Sequence, residues 1–488
     1  MYPEMKTPIK GKRKNFVAEL CEKNRWKSGA GYDDLSPMRR TYKLHLIMPA
    51  TGPHVYEYVE SVTMPPLTLL TLASLTPPNY DIRILDEAIE PVRPGPCDLA
   101  AISLIYFTAA RAYRLADWYR SRNIPVVMGG PHATLCPGEV AGHCDALAIG
   151  EADELWPAIL RDFEQGRMSR VYRAESPPDL TRLPPLRYDL IDKTRYDIQN
   201  LVQTGRGCPV GCDFCAIPAL SGRAARHKTV PQVIREIEDS MRLARGFWRR
   251  LVVFSDDNLV SDQRFARELF EALIPLRIWW ASQCSIAIAL NDALLDLAVK
   301  SGCRGLFIGF ETPNQAALDG VHKAYSAARF GEAISKLRAR GVFLLGSFLF
   351  GLDGDTRDSF RDTVEFSLKN RLDFVNYHIV SPAPGTPFFR KLESEGRLLH
   401  RRWEHYQENA VFRPSGMTAD ELQQGQIWAY REFFRAGNII RRALAYWPSG
   451  FRMLLVFFES LRVRRKIFSG IRSKERFLAR SPGDEIGP

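Results

Sequence analysis

The sequence predicts an α/β protein in three consecutive parts: a doubly wound parallel sheet, a partial (β/α)6 barrel, and a helical C-terminal region. Three observations carry this. Short, continuously apolar runs alternate with helical stretches in two series. Their unbroken apolarity marks strands covered on both faces. A segment rich in Pro and Asp, ESPPDLTRLPPLRYDLIDKTRYD (174–196), separates the two series and reads as an extended linker.

In the first series the strands are KLHLIMP (43–49), DIRILDE (81–87), LAAISLI (99–105), IPVVMGG (124–130) and DALAIG (145–150), with helices at 66–76, 110–122 and 153–165. Five such units form a flavodoxin-like domain, which binds ligands at the carboxyl ends of its strands. Those ends carry Pro49 to Gly52, Asp86–Glu87, Ser103 to Thr108, Gly129–Gly130–Pro131–His132 and Gly150–Glu151. The second series starts at NLVQT (200–204). It continues through RLVVFS (250–255), IWWASQCSIAIA (278–289), GLFIGF (305–310), VFLLGSFLFG (342–351) and DFVNYHIVSP (373–382), with helices at 231–245, 263–274, 292–301, 327–340 and 357–370. The parts are therefore a basic arm, 1–40; a Rossmann-like domain, 41–173; the linker, 174–196; the barrel, 197–400; and a basic helical region, 401–488.

At 488 residues, with 45% hydrophobic and 25% charged residues, two or three globular domains are expected. The N-terminus lacks the apolar core of a secretory signal, and no run of about 18 apolar residues suggests a membrane span. Nine cysteines, three in one loop, do not read as a disulfide framework, so a reducing cytoplasm is expected. The net charge of +11 is concentrated at one end: from Arg431 to Pro488, 13 Lys or Arg stand against 5 Asp or Glu. The rest is near balance, which argues against a nucleic-acid track.

The loop GRGCPVGCDFCAIP (205–218) is the chemical centre. It spaces Cys208, Cys212 and Cys215 as C-x3-C-x2-C. Three thiolates on one short loop suit three irons of a 4Fe-4S cluster and leave the fourth iron open to a small molecule. A zinc loop would normally pair two Cys-rich arms, and no second arm stands in the sequence. With this spacing the chain resembles the radical S-adenosylmethionine (SAM) enzymes. The resemblance implies that the amino and carboxylate groups of SAM chelate the open iron. One electron then cleaves SAM to methionine and a 5′-deoxyadenosyl radical.

The stretches MPPLTLLTLAS (64–74), VVMGGPHATLCP (126–137) and AIGEADE (148–154) are similar to the cobalamin-binding domain upstream of the barrel in one class of these enzymes. The resemblance implies a third cofactor, cobalamin, at the strand ends that include Ser103, Gly129, Gly130, His132, Gly150 and Glu151. The D-x-H-x-x-G loop of classical cobalamin domains is absent. His132 is read as either a cobalt ligand or a packed, hydrogen-bonded residue.

The other barrel strand ends supply candidates for holding SAM. Ser255–Asp256–Asp257–Asn258 offers Asp256 and Asp257 either to the SAM amine or to a helix cap. Glu311 closes the G-x-x-x-G-x-E run of 305–311, similar to a family motif near the adenosine portion. Gln283, Ser285 and Ser347 are placed toward the barrel interior. Of Tyr377 and His378, only one can face the substrate, because strand neighbours point to opposite sides. Tyr377 is the catalytic candidate, with core packing as its other reading. The segment SPAPGTP (381–387) is expected where the two domains meet. FRMLLVFFESLRVRRKIF (451–468) reads either as a helix covering the barrel or as an anionic-membrane contact at the inner face.

The resemblance makes methyl transfer to an unactivated carbon of a small, hydrophobic metabolite the leading expectation, fed by an electron donor such as flavodoxin or ferredoxin. The same two cofactors also support oxidative cyclisation or other radical rearrangements. RNA modification would call for a second cluster domain and a basic β-barrel tail, and neither is legible. A cobalamin- or redox-sensing protein is the non-enzymatic alternative.

Overall fold

The computed structural model describes residues 40–50, 62–406, 409–447 and 450–478. The expected arm (residues 1–39), Thr51–Gly52 and the last ten residues lie outside them. β1 (Tyr42–Met48), β2 (Tyr80–Asp86), β3 (Leu99–Ser103), β4 (Val126–Gly129) and β5 (Ala146–Ile149) are the five expected strands. All pair in parallel, in the order β2-β1-β3-β4-β5, and a sixth short strand, β6 (Val171–Arg173), joins the β5 edge. β6 escaped the sequence pattern because its residues, Val-Tyr-Arg, are half-exposed at an edge and lack a covered apolar run. Helices α1 (Leu67–Ser74), α2 (Ala109–Arg120) and α3 (Leu155–Glu164) fall inside the expected stretches or within a residue of them.

β7 (Leu201–Val202) starts the second sheet. The antiparallel pair β8 (Gly205–Arg206) and β9 (Arg226–His227) then brackets the cysteine loop. β10 (Leu251–Phe254), β11 (Trp279–Cys284), β12 (Cys303–Glu311), β13 (Phe343–Phe350) and β14 (Phe374–Ile379) complete a six-stranded parallel sheet ordered β14-β13-β12-β11-β10-β7. This is the expected partial barrel: neighbours in sequence are neighbours in space. The helices α4 (Ile217–Leu220), α5 (Val230–Leu243), α6 (Gln263–Leu273), α7 (Asp292–Lys300), α8 (Phe330–Ala339) and α9 (Asp358–Lys369) follow their strands. α5 shows why it forms: Thr229 and Gln232 make a reciprocal capping box, Pro231 sits in the first turn, and Val233, Ile237 and Ser240 face inward at helical spacing.

The linker is fastened at both ends. Tyr196 donates to Asp86 at the end of β2 (3.1 Å), and Tyr188 donates to the carbonyl of Leu201 (2.8 Å). Between them Lys193 is buried, its ammonium donating to Asn200 Oδ1 (2.9 Å) and to the Ser240 carbonyl and hydroxyl (both 2.6 Å). Burial lowers its pKa from 10.5 to about 7. The stability contributed by this group is therefore present at alkaline pH and lost as pH falls through about 7. In thermal denaturation the wild type should gain on Lys193→Met as pH rises from neutrality; parallel stability curves would contradict this.

After the barrel, α10 (Ala419–Phe433) begins at a reciprocal Thr418–Glu421 capping box. It packs on α9 and β14, and α11 (Ala436–Leu444) and α12 (Gly450–Leu478) follow. Among the described residues no helix is long and apolar enough to cross a membrane.

Candidate active site at the junction of two sheets

β8 and β9 hold the cysteine loop at its two ends. Inside it, the Asp213 amide donates to the Val321 carbonyl (3.2 Å), and the Asp213 carbonyl accepts from the Phe388 amide (3.0 Å). The Asp213 carboxylate meets His322 Nδ1 at 2.9 Å. Cys212 is buried and Cys208 and Cys215 are half-buried, all three with free thiols. Burial pushes the Cys212 thiol up to about 11, against the pull of nearby Lys323, and burial also raises the Cys215 thiol. Among the described residues, no three His, Cys, Asp or Glu side chains are gathered as one metal ion would need. Three neighbouring thiols without a single-ion geometry fit a multi-iron cluster, in which each sulfur binds its own iron. Iron would hold them as thiolates despite their burial. Phe214 packs partly into the core beside them, as a water-excluding residue should.

The two carboxylates after β10 were each offered to the SAM amine or to a helix cap. Asp256 does neither here: its oxygens accept from Thr204 N (3.1 Å), Thr204 Oγ1 (2.6 Å) and Gly205 N (2.7 Å). It is buried and fully engaged, tying the end of β10 to the entry of the cysteine loop. Burial raises its pKa to about 6, while the same three donors favour the carboxylate. Asp256 still borders the barrel chamber, while Asp257 lines the cavity between the sheets and accepts from Gly207 N at 3.2 Å.

Glu311 ends β12 with a left-handed backbone (φ 63°), rare for a residue with a Cβ. The β12–β13 register shifts there. Its carboxylate binds Lys323 Nζ at 2.6 Å, and the pair lies within electrostatic reach of Cys212. Glu311 therefore lies within electrostatic reach of the cluster loop. Lys323 was not foreseen, because it lies in the irregular segment after β12 and belongs to no motif.

Gln283 and Ser347 lie on the inner faces of β11 and β13, and Gln283 lines a chamber of about 480 Å3 inside the barrel. The chamber walls are mostly apolar, including Val253, Phe307, Phe343, Leu345 and Phe374, with Ser255, Asp256 and Ser282 as its other polar residues. Ser285 sits just past β11. Its hydroxyl accepts from Tyr325 (3.1 Å), and its amide donates to Asn258 Oδ1 (3.0 Å).

Tyr377 is corrected to a core residue. It is fully buried against Phe348, Phe350, Tyr430 and Phe433. Strand alternation puts Asn376 and His378 on the side of Phe374, which lines the chamber. Tyr377→Phe should therefore leave 5′-deoxyadenosine formation within about twofold of wild type, as for substitutions that spare packing. A loss of a hundredfold would restore Tyr377 to the site.

A second cavity, of about 310 Å3, lies where the two sheets meet. One wall comes from α1 and the loops after β4 and β5; the other comes from Gln203, Arg206, α4 and Asp257. Gly130 and Gly150 line it, both at φ 98°, a conformation L side chains rarely adopt. A Cβ on Gly130 would come within 2.9 Å of Leu104 O and Ser103 Oγ, and one on Gly150 within 2.8 Å of the Ala174 methyl. Ser103 and Gly129 pair in register beside this floor. The bare strand ends form a cradle for a flat ligand.

His132 is not in that cradle. It is fully buried beneath it, with Nε2 3.2 Å from the Tyr113 hydroxyl and 3.4 Å from Glu139 Oε1, and with Trp403 edge-on. Its burial and these partners match the packed, hydrogen-bonded reading of His132. Glu151 lines the cavity, but its oxygens are held by Arg206 (2.6 Å) and Arg226. Arg206 also binds Asp153 at 2.8 Å. This buried four-charge network joins the first sheet to the strands flanking the cysteine loop. Its arginines were missed because nothing in the local sequence pairs them with residues more than 50 positions away. SPAPGTP does lie where the domains meet: Ser381 Oγ is 3.2 Å from the Tyr106 hydroxyl, and Gly385 packs on Leu135.

The comparisons agree with this layout. The pattern of the radical SAM superfamily matches residues 202–367. A bacteriochlorophyllide d C-12(1)-methyltransferase of Chlorobaculum tepidum is 29% identical over 387 residues, covering 77% of this chain and 84% of the relative. A hopanoid C-2 methylase of Rhodopseudomonas palustris is 27% identical over 366 residues, 72% of this chain and 68% of its own. In fold, the chain is similar to the radical S-adenosylmethionine methyltransferase TsrM from Kitasatospora setae, solved with cobalamin and a [4Fe-4S] cluster bound. The TM-score is 0.63 at 13% identity, covering 87% of this chain and all of that one. Residues 202–367 therefore match the radical SAM superfamily around the cluster loop, and the two-sheet layout is similar in fold to a radical SAM methyltransferase solved with cobalamin and a [4Fe-4S] cluster.

Proposed function

We propose that this protein is a cobalamin-dependent radical SAM enzyme that transfers a methyl group to an unactivated carbon of a small, apolar metabolite. The observation that carries the reading is the cavity walled jointly by the glycine strand ends of the first sheet and by the cluster loop of the second. A cluster on the loop cysteines, with SAM and cobalamin at the junction, would supply a carbon-centred radical and a transferable methyl group. This chain's own residues do the rest. Cys208, Cys212 and Cys215 would hold the cluster, and Asp256 fixes the entry of their loop. The Glu311–Lys323 pair presents both charges beside Cys212, suited to the zwitterionic methionine end of SAM. Gly129, Gly130 and Gly150 would let a corrin or its tail approach the backbone. The apolar barrel chamber excludes water and favours a substrate of hydrocarbon or aromatic character. The electron would come from a one-electron carrier such as flavodoxin or ferredoxin. A reducing, cytoplasmic setting would keep the cluster thiols free.

The test is anaerobic reconstitution with iron, sulfide, SAM and cobalamin, followed by mass spectrometry of host extracts. The expected result is 5′-deoxyadenosine and S-adenosylhomocysteine, with a product heavier by one methylene. Deoxyadenosine without S-adenosylhomocysteine would replace methylation with cyclisation or another radical rearrangement. Neither product under a strong reductant would leave a cobalamin-binding sensor.

A further inference from the structure

The C-terminal helices turn an apolar face outward. α11 buries Ile439, Arg442 and Ala443 and exposes Ile440 and Leu444, one helical turn apart. α12 buries Val456, Ser460 and Ile467 and exposes Leu454, Leu455 and Phe458. In the turn between the two helices, Trp447 is 72% exposed, and Phe458 is 61% exposed. Single exposed apolar residues are ordinary, but six on one packed helix pair are not.

The charge on the same element says what covers this face. The exposed stripe of α12 that starts at Leu454 and Phe458 continues at helical spacing through Arg462 and Arg465, both exposed. Arg441 is exposed on α11. The whole stretch from Arg431 carries 13 basic against 5 acidic residues. A second copy docking here through a two-fold would set these arginines against themselves. An anionic lipid surface meets both parts: the acyl boundary takes the apolar block, and the phosphates take the basic one. The helix pair also adjoins the barrel chamber, since the Arg452 guanidinium stacks 4.4 Å from the ring of Phe343, a chamber wall.

We propose that α11 and α12 dock this protein on an anionic bilayer, with Trp447 and Phe458 entering the headgroup region and Arg462 and Arg465 on lipid phosphates. This does not depend on the reaction proposed above. The test is sedimentation of the full-length protein with vesicles of phosphatidylcholine and phosphatidylglycerol in equal parts, or of phosphatidylcholine alone. Binding should favour the anionic vesicles and weaken with added salt. Trp447→Glu and Phe458→Glu should each reduce partitioning on the order of tenfold, as loss of one buried apolar side chain implies. Their melting temperatures should be unchanged, because both side chains are already in solvent. Arg462→Glu with Arg465→Glu should erase the preference for anionic lipid. Equal or no partitioning into the two vesicle types overturns the proposal. So does a solution dimer that Trp447→Glu dissolves.

Discussion

Cys212→Ala should yield a folded protein that makes no 5′-deoxyadenosine above background. After anaerobic reconstitution its iron content and visible cluster absorbance should collapse as well. Cys212 is the most buried of the three loop cysteines and lies closest in charge to the Glu311–Lys323 pair. Removing it takes away one of the three loop ligands, and the cysteines of the neighbouring strands β11 and β12, Cys284 and Cys303, are buried in those strands. Retained deoxyadenosine formation would sink the cluster assignment. Retained iron without turnover would instead place the defect in SAM binding.

Asp256→Ala should be the most damaging change at a residue that touches no cofactor. It strips partners from two backbone amides and one hydroxyl at the start of the cysteine loop. Each buried donor left unpaired costs about 1–3 kcal/mol, so the total reaches roughly 3–9 kcal/mol, much of a typical domain's stability. Denaturant titration should show this loss, and reconstituted protein should carry fewer clusters per chain. Asp256→Asn keeps acceptor oxygen and removes the buried charge, so it should lose less. If the two variants unfold like wild type but bind SAM weakly, Asp256 acts on the ligand after all.

The fold was largely legible because its strands are buried on both faces and its helices are amphipathic. Val126–Gly129 and Phe343–Phe350 announce themselves by composition alone. The cysteine loop was legible for a different reason: its ligands are close in sequence, so spacing is geometry. What escaped depends on distant pairing. Asp256 and Asp257 are adjacent and chemically identical, and only the position of Thr204 and Gly205 shows which one is occupied. Tyr377 and His378 differ by one strand position, so placing either in the site required the exact pleat of β14. Lys323, Arg206 and Arg226 act through partners that no local pattern names.

The ion network across the junction constrains how such proteins can be recombined. Glu151 and Asp153 come from the first sheet, Arg206 and Arg226 from the strands around the cysteine loop, and all four are largely buried. A chimaera that took its first domain from one relative and its barrel from another would bury unmatched charges unless both sides were exchanged together. Chimaeras cut within 174–196 should therefore assemble only when all four residues travel as a set. The two halves are modular in sequence order but inherited as one piece in electrostatics.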